Sequence, residues 1–192
     1  NDFSGFEEFH NHLKQNINPY NLIEQHHLIQ IKGISHASIN LQQANVAERQ
    51  TDSALSVLKQ KYNVPINVTS QYQDTLSTGS GITLWAIFSK NKEDIDENSP
   101  IRLGADVLGE QGKRAEIVGE EAAKNLIKEI ESKAPVDRHL ADQILPFMAL
   151  IGNSAVKASE ITNHCKTNIY TIQQFLEGIF KIDEEDKIIS IK

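Results

Sequence analysis

Strand-like patterns of apolar residues recur through the first part of the chain. Strands are predicted in four stretches: residues 28–34 (LIQIKGI), 65–73 (PINVTSQYQ), 82–89 (ITLWAIFS) and 101–109 (IRLGADVLG). The first is almost continuously apolar, which is typical of a mostly buried strand. The second alternates, so Ile66 and Val68 are expected to point inward together. The acidic, Asn-rich residues 90–100 predict a surface loop before the last strand.

Two stretches in the same region have the three-to-four-residue spacing of amphipathic helices. Residues 45–62 begin at Asn45, which can cap the first turn, and their apolar side holds Val46, Ala47, Ala54, Leu55 and Leu58. Residues 113–132 form the second predicted helix. Its apolar side comprises Ile117, Val118, Ala122, Leu126, Ile127 and Ile130. The order strand, helix, three strands, helix predicts a compact α+β unit over residues 21–131.

The last sixty residues follow a different order. A helix is predicted over residues 138–152, with a kink or a 3₁₀ turn at Pro146 and an end at Gly152. Its predicted core face comprises Leu140, Ile144, Phe147, Met148 and Ile151. A short strand, a helix and a hairpin turning at residues 183–186 follow. This order suits one repeated strand-helix module of a larger α/β body. Residues 1–20 lack firm periodicity and predict a connection or a frayed helix.

Composition narrows the functional classes. The net charge of -7, with 23% charged residues, argues against nonspecific nucleic-acid binding by the whole surface, although a local basic patch stays possible. The single cysteine, Cys165, excludes an internal disulfide and fits a reducing compartment. No apolar run approaches the ~18 residues of a membrane span. We therefore expect a cytoplasmic protein without a membrane partner.

Two weaker signals have structural interpretations that we favour. Gly104, Gly109 and Gly112 form neither a dinucleotide fingerprint nor a Walker loop, so they are interpreted as turn glycines. Arg49 lies beside Glu48 in the first turn of a predicted helix. An RNA contact is one reading of Arg49, and an ion pair on a solvated face is the preferred one.

Polar clusters open two of the predicted helices. One is residues 139–143 (HLADQ), and the other is residues 162–168 (TNHCKTN). A helix N-terminus presents unpaired backbone N–H groups and the positive end of the helix dipole. Two such ends that face each other would hold a phosphate group.

His164 is the candidate nucleophile in the second cluster. A neutral imidazole is nucleophilic near pH 7, so it can attack the α-phosphorus of ATP and form a phosphoramidate. Thr162, Asn163, Thr167 and Asn168 can bind phosphate oxygens or cap the helix. The competing interpretation is that His164 only caps or packs. Cys165, its neighbour, is interpreted as a small buried hydrophobe.

The first cluster offers groups for the nucleotide. Asp142 can orient an imidazole or bind a ribose hydroxyl, and Gln143 provides both a donor and an acceptor. The alternative is that Asp137 and Asp142 merely favour a helix N-terminus. Arg138 and Lys166 are candidate phosphate contacts or ordinary exposed cations.

Four segments, in this order, resemble the RNA 3′-terminal phosphate cyclases. They are IKGISHAS with NVAERQ, GADVLGEQGKRAEIVGEEAA, DRHLADQILPFMAL and SEITNHCKTNIYTIQQFLE. The resemblance covers most of residues 28–178. It implies an α+β fold (an α/β sandwich) of two domains, a larger body of strand-helix modules interrupted by a smaller insert. Residues 1–20 would end or link the body, 21–131 would be the insert domain, and 132–192 a C-terminal module of the catalytic body.

The resemblance also implies an activity. The family converts an RNA 3′-phosphate to a 2′,3′-cyclic phosphate with ATP and a divalent cation, Mg²⁺ or Mn²⁺, through a histidine-AMP intermediate. The adenylated histidine of the family falls at His164. The nucleotide-binding segment falls at His139, Leu140, Ala141, Asp142 and Gln143. Relatives can have an aromatic residue at the place of His139, where an imidazole would have to pack against the base.

The chain begins at Asn1, without the Gly-rich signature and the metal-associated glutamate of longer family members. We therefore expect a C-terminal portion that binds little ATP and does not cyclise RNA alone. Two other readings stay open. One is a noncatalytic cyclase-like protein that acts as an RNA-processing interaction factor, although such proteins lack the nucleophile. The other is an isolated structural domain.

Overall fold

The chain forms two compact units. The computed structural model describes residues 3–91, 101–176 and 179–192. One unit, which we call the central unit, is His26–Ser132, and the other, the terminal unit, joins Asn1–Gln25 to Lys133–Lys192. Each unit has its own sheet and its own hydrophobic core. The assignment of the units to domains of a longer protein stays a prediction.

Helices and strands both contribute to each unit. The helices are α1 (Phe6–Asn16), α2 (Val46–Lys61), α3 (Ala115–Glu131), α4 (Arg138–Gln143), α5 (Leu145–Ile151) and α6 (Asn163–Phe175), and a 3₁₀ helix spans Ile39–Ala44. The strands are β1 (Asn21–Leu22), β2 (His27–Ser38), β3 (Ile66–Gln73), β4 (Ser80–Ser89), β5 (Ile101–Leu108), β6 (Ser154–Lys157), β7 (Phe180–Asp183) and β8 (Ile188–Ile191). The predicted α+β class is confirmed. Most of the loop predicted at 90–100 lies outside the described residues.

The sheet of the central unit has the strand order β3-β2-β4-β5. Strand β2 pairs parallel with β3 and antiparallel with β4, and β4 pairs antiparallel with β5. The connection from β2 to β3 runs through α2, because parallel neighbours need a long crossover. Alternate side chains of each strand point to the face on which α2 and α3 pack. The fully buried residues of this core include Ile31, Leu58, Leu84, Leu103 and Leu126.

Both helices of the central unit differ in detail from their predicted patterns. Asn45 occupies the position before α2, but its backbone is left-handed (φ 50°) and its side chain makes no capping hydrogen bond. Ile117 was expected in the core and is 39% exposed. Successive helix residues are about 100° apart, so Ile117 lies beside the buried stripe that contains Val118 and Ala122. Gly119 belongs to that stripe and lets α3 approach the backbone of α2.

Of the three glycines that were assigned to turns, Gly112 lies in one, whereas Gly109 still pairs with β4 through its N–H, which donates to the Ser80 carbonyl at 2.8 Å. Gly112 has a positive φ of 84°, which a glycine adopts without strain. Gly109 directly follows β5, and a side chain there would overlap Ser80. Gly104 lies inside β5 instead, so the turn interpretation is wrong at that position.

The terminal unit has a second sheet, of strand order β1-β6-β8-β7. Strand β1 pairs parallel with β6, while β8 pairs antiparallel with β6 and β7. The predicted turn between β7 and β8 is confirmed: the Asp183 carboxylate accepts hydrogen bonds from the N–H groups of Glu185 and Asp186, both at 3.0 Å. The core of this unit includes the fully buried Val136, Leu145, Met148, Val156 and Ile189.

Pro146 divides the long helix that was predicted over residues 138–152. The chain forms α4 and α5, which meet at Ile144, and Pro146 lies in the first turn of α5, where it needs no N–H partner. The predicted core face is correct for Ile144, Met148 and Ile151 and wrong for two residues. Leu140 is 37% exposed and Phe147 is 56% exposed. The helix is interrupted between them, so the apolar positions of α4 and α5 do not continue along one common face.

The N-terminal segment is helical in part. Helix α1 has no buried residue among those described, and after it β1 joins the terminal sheet through Leu22 and Val156. Within the part of the chain that the structure describes, no helix is both long and apolar enough to cross a membrane.

Candidate functional site

The two predicted polar clusters begin at the same edge of the terminal unit. Val136 and Ala158 form a parallel bridge, and the N–H of Ser159 donates to the carbonyl of Val136 at 2.8 Å. Each of these two adjacent chain segments then enters a helix, α4 or α6. Parallel neighbours run in one direction, so both helices start on the same side. The two helix N-termini therefore lie at one edge of the unit, which a phosphate site between them requires.

Side chains cap both helix starts. Asp137 Oδ1 accepts hydrogen bonds from the N–H groups of His139 (3.0 Å) and Leu140 (2.8 Å). Thr162 Oγ1 accepts from the N–H of Cys165 at 3.2 Å. Capping by Asp137 and Thr162 agrees with the preference of Asp and Thr for this position. These caps establish where α4 and α6 begin.

Two backbone N–H groups at the start of α6 are available to donate hydrogen bonds to a ligand. The N–H of Lys166 bonds to the Thr162 carbonyl, and Cys165 uses the Thr162 hydroxyl. Among the described residues, the N–H groups of Asn163 and His164 have no acceptor. An oxyanion bound at the N-terminus of α6 can accept hydrogen bonds from both of them.

His164 lies in this first turn and is exposed to solvent. In the part of the chain that is described, its imidazole makes no hydrogen bond or ion pair. A nucleophile must be reachable by its substrate, and this position satisfies that requirement. The adjoining Cys165 is fully buried, as predicted, and its sulfur lies 3.5 Å from the Thr162 hydroxyl.

The other cluster, on α4, has an exposed and a buried side. His139 and Gln143 are exposed, Leu140 is partly exposed and Asp142 is half-buried. The methyl group of Ala141 lies in the core. Four of the five predicted nucleotide-binding side chains are therefore accessible to some degree, while Ala141 can contact a ligand only through its backbone.

A hydrogen bond joins the two clusters. The side-chain amide of Asn168 donates to Asp142 Oδ1. Asn168 follows His164 by four residues, so the two side chains are neighbours on one face of α6. His164 thus lies one turn before the residue that contacts the α4 cluster. Asp142 therefore binds an amide, and the contact with an imidazole that the sequence suggested is absent among the described residues.

Carboxylates lie beside both candidate phosphate-binding cations. Lys166 Nζ is 2.7 Å from Glu184 Oε1, and Arg138 Nη1 is 3.5 Å from Glu160 Oε2. Sequence reasoning missed both glutamates. No spacing rule links Lys166 to Glu184, because the two meet only when the β7–β8 turn approaches α6. A phosphate would have to compete with these carboxylates for either cation.

The preferred reading of Arg49 as an ion-pair residue is confirmed, with a different partner. Arg49 donates to both carboxylate oxygens of Glu116, Nε to Oε1 at 2.8 Å and Nη2 to Oε2 at 2.9 Å. These hydrogen bonds lower the pKa of Glu116 to about 2. Glu48 instead accepts a hydrogen bond from the Tyr72 hydroxyl. Arg49 therefore stabilises the contact between α2 and α3.

The two clusters do not form a metal site by themselves. Within the described residues, no group of three His, Cys, Asp or Glu side chains has a geometry that could hold a metal ion. The two polar clusters thus offer no such group of three ligands for a cation.

Comparison with known proteins places these features in a family. Residues 23–131 match the family model described as RNA 3′-terminal phosphate cyclase (RTC), insert domain. A protein of Thermococcus onnurineus named RNA 3′-terminal phosphate cyclase is 42% identical over 167 residues, which are 87% of this chain and 45% of that protein.

Two further relatives have the same name. The Methanosarcina acetivorans protein is 43% identical over 168 residues, which are 87% of this chain and 42% of that protein. The Saccharolobus solfataricus protein is 44% identical over 163 residues, 84% of this chain and 44% of that protein. The chain thus spans less than half the length of the relatives it matches.

Proposed function

The chain belongs to the RNA 3′-terminal phosphate cyclase family, and we propose that it supplies the nucleophile of an ATP-dependent RNA cyclase. The substrate is an RNA with a 3′-phosphate end, and the product is a 2′,3′-cyclic phosphate. The observation that supports this proposal best is the position of His164. It is exposed in the first turn of α6 and shares a face with Asn168, which contacts the α4 cluster.

The proposed reaction has three steps. A ring nitrogen of His164 attacks the α-phosphorus of ATP; a P–N bond forms, a P–O bond breaks, and pyrophosphate leaves. An oxygen of the RNA 3′-phosphate then attacks the same phosphorus, which releases His164 and leaves AMP on the RNA end. Finally, the neighbouring 2′-hydroxyl attacks the activated 3′-phosphorus, loses its proton and expels AMP.

We assign different roles in these steps to different described residues. The N–H groups of Asn163 and His164 point out of the helix start, where they can bind oxygens of the α-phosphate. His139 and Gln143 are the accessible polar side chains for the nucleoside part of ATP. Asp142 positions Asn168 and, through it, the face of α6 that carries His164.

A divalent cation, Mg²⁺ or Mn²⁺, belongs to the proposal as the counter-ion of the triphosphate. It would neutralise charge on ATP and on the departing pyrophosphate. We propose that its carboxylate ligand lies outside the described cluster, and that this chain alone binds little ATP and does not cyclise RNA. Turnover by the isolated chain would contradict that statement.

The proposal assigns the protein to the ligases that act in RNA processing. The free thiol of Cys165 fits a reducing compartment, and we propose that the protein works in the cytoplasm. The competing candidate is a noncatalytic cyclase-like factor that contributes interactions to RNA processing. One observation favours it: the described residues provide no hydrogen bond that would orient the imidazole of His164.

Adenylation distinguishes the two candidates. The longer protein containing this segment is incubated with α-labelled ATP and Mg²⁺ or Mn²⁺, and is then treated with acid or alkali. Wild type should retain label that survives alkali and is lost in acid, as a histidine phosphoramidate requires. His164→Ala should retain none. His27→Ala, which removes an exposed imidazole from the central unit, is the matched control and should label as wild type does. Absence of label from wild type would favour the noncatalytic factor.

A further inference from the structure

One face of the central sheet carries none of the helices that the structure describes in this unit. Helices α2 and α3 both pack on the face that contains Ile31 and Leu84. The intervening residues of each strand point the other way. We call this second surface the open face. Its solvent-exposed side chains include Asn67, Thr69, Gln71, Thr83, Arg102 and Asp106.

A tryptophan lies in the middle of the open face. Trp85, the only tryptophan of the chain, belongs to the central strand β4 and is half-buried. Its direct neighbours across the sheet are Lys32 on β2 and Gly104 on β5, and Asn67 follows beyond Lys32. Gly104 has no side chain, so nothing on that residue covers the adjacent edge of the indole. The row therefore combines a flat aromatic surface, a cation and an amide.

The neighbouring rows also combine charged, polar and apolar side chains. One row runs from Thr69 through Ile34 and Thr83 to Asp106, and another contains Gln30, Ile87 and Arg102. The hydroxyl and amide groups at the exposed positions can each donate and accept hydrogen bonds. Among the described residues of the open face, Leu108 at the His36 end is a large exposed apolar side chain, whereas Ile87 is buried. The exposed positions of the face are otherwise mostly polar, unlike the apolar core of a protein interface.

The charge of the open face differs from that of the whole chain. Lys32 lies in the Trp85 row and Arg102 in the neighbouring row, and within the described residues neither forms an ion pair. Asp106 is the carboxylate of the same rows, and His36 adds an imidazole farther along β2. Two cations against one carboxylate make this surface locally positive, although the chain carries a net charge of -7.

We propose that the open face binds single-stranded RNA, with a base stacked on Trp85 and phosphates held by Lys32 and Arg102. Single-stranded RNA is recognised by aromatic stacking beside cations and hydrogen-bonding side chains, often on a four-stranded sheet. The choice of RNA rests on the proposed function, because it supposes that this family member handles RNA ends.

The dimensions limit the length of RNA in contact. Four strands spaced about 4.8 Å apart span roughly 14 Å, and successive residues on one face are about 6.7 Å apart. An area of this size accommodates about two or three nucleotides. At the His36 end, a cavity of about 270 Å³ opens beside Ser38, Gln73 and Leu108, and it offers space for one more group of the RNA.

The single tryptophan makes the proposal directly measurable. The 192-residue chain is titrated, without ATP, with a single-stranded RNA of about ten nucleotides ending in a 3′-hydroxyl. Trp85 emission should be quenched saturably, whereas an RNA duplex of the same sequence should quench it much less. By anisotropy of labelled RNA, Trp85→Leu should weaken binding about ten-fold, and Trp85→Phe should recover most of the loss.

Charge variants test the phosphate contacts. Lys32→Gln and Arg102→Gln should each weaken binding and reduce the slope of log affinity against log salt by about 0.7. Lys59→Gln is the matched control, because it removes an exposed cation from α2, on the other side of the sheet. It should leave binding within about two-fold of wild type.

Three results would overturn the proposal. The first is Trp85 emission that is not quenched at saturating RNA. The second is an equal loss of RNA affinity in Lys59→Gln and Lys32→Gln. The third is Trp85 emission that changes with protein concentration alone. The last would identify a protein interface instead. Histidine adenylation needs no RNA and this titration needs no ATP, so either proposal can fail while the other holds.

Discussion

Two sets of polar side chains, one in each unit, have opposite surroundings. In the central unit, Gln50 is fully buried, yet its amide pairs with Ser35 Oγ at 2.8 Å and Ser80 Oγ at 3.0 Å. In the terminal unit, His139 and His164 are exposed, and the described residues offer their imidazoles no hydrogen bond. Paired polar groups stabilise a fold, whereas accessible unpaired ones are available to a ligand. This contrast separates structural polar residues from candidates for chemistry.

The largest effect is expected from His164→Ala. In the longer protein, loss of the nucleophile should lower the rate of adenylation at least about 10³-fold. The free energy of unfolding of the 192-residue chain should change by less than about 0.5 kcal/mol, since the side chain is exposed and unpaired. Rapid-quench labelling and urea unfolding measure the two quantities. A large loss of stability would group His164 with the structural residues.

Gln50→Ala should show the reverse behaviour. It removes a buried amide and leaves Ser35 and Ser80 without that partner, so unfolding should become easier by about 3 kcal/mol. Urea unfolding of the chain provides the measurement. Gln60→Ala, an exposed substitution on the same helix, should stay within about 0.5 kcal/mol of wild type. Equal unfolding midpoints for the two variants would contradict the structural role of the network.

Gly119→Ala tests how closely α2 and α3 approach each other. A Cβ atom at this position would overlap the backbone carbonyl of Gln50, so the helices must separate. We expect destabilisation of about 2 kcal/mol, even though alanine favours helices by about 1 kcal/mol over glycine. Thermal or urea unfolding reports the change. Gly79→Ala, where nothing lies near the added methyl, should have little effect. A stabilised Gly119→Ala variant would show that the helices have room.

Asp142→Ala should affect the chemistry more than the fold. Without the acceptor for Asn168, the face of α6 that carries His164 loses this hydrogen bond to α4, and adenylation should slow about ten-fold. Asp142→Asn keeps an oxygen acceptor and should recover most of that rate. Kinetics at several ATP concentrations would distinguish a change in kcat from one in KM. An unchanged rate for Asp142→Ala would remove this residue from the site.

The smallest effect is expected at the Arg49–Glu116 pair, which is partly exposed. The pKa of Glu116 is about 2 in the folded chain, below its ordinary value, so the pair stabilises the fold above pH about 4.5. That contribution decreases as pH falls towards about 2. Arg49→Gln should raise the pKa of Glu116 towards about 4.3, which an NMR titration of the carboxyl group would detect. A pKa that stays near 2 would assign the shift to another cause.

Local patterns predicted much of the fold. Amphipathic spacing located α2 and α3, and the hairpin of β7 and β8 turned at the predicted residues. Thr162 caps α6, which is one of the two roles predicted for it. An irregularity was expected at Pro146, but the helix divides there into α4 and α5 where only a kink or a 3₁₀ turn was predicted. The exposure of Phe147 was not predictable from periodicity, since the break at Ile144 changes the phase of the helix. The turn assignment of Gly104 failed because a glycine inside a strand has the same local signal as one beside a turn.

The candidate site was predicted only in part. The choice of His164 and of residues 139–143 came from helix-start chemistry and from family resemblance, and their roles stay predictions. The bond between Asp142 and Asn168 joins residues 26 positions apart in the chain. The carboxylate beside Lys166 comes from the β7–β8 turn. Such partners have no signature in sequence spacing.

The sequence by itself determined the helix starts, the break at Pro146 and the turn at Asp183, because each depends on bonds among residues a few positions apart. Only the tertiary structure decided that Asp142 meets Asn168 and that Trp85 lies between Lys32 and Gly104. These contacts depend on sheet register and helix packing, which arise from the hydrophobic core of a whole unit. Short-range hydrogen bonds select the elements, and burial of apolar surface selects which residues become neighbours.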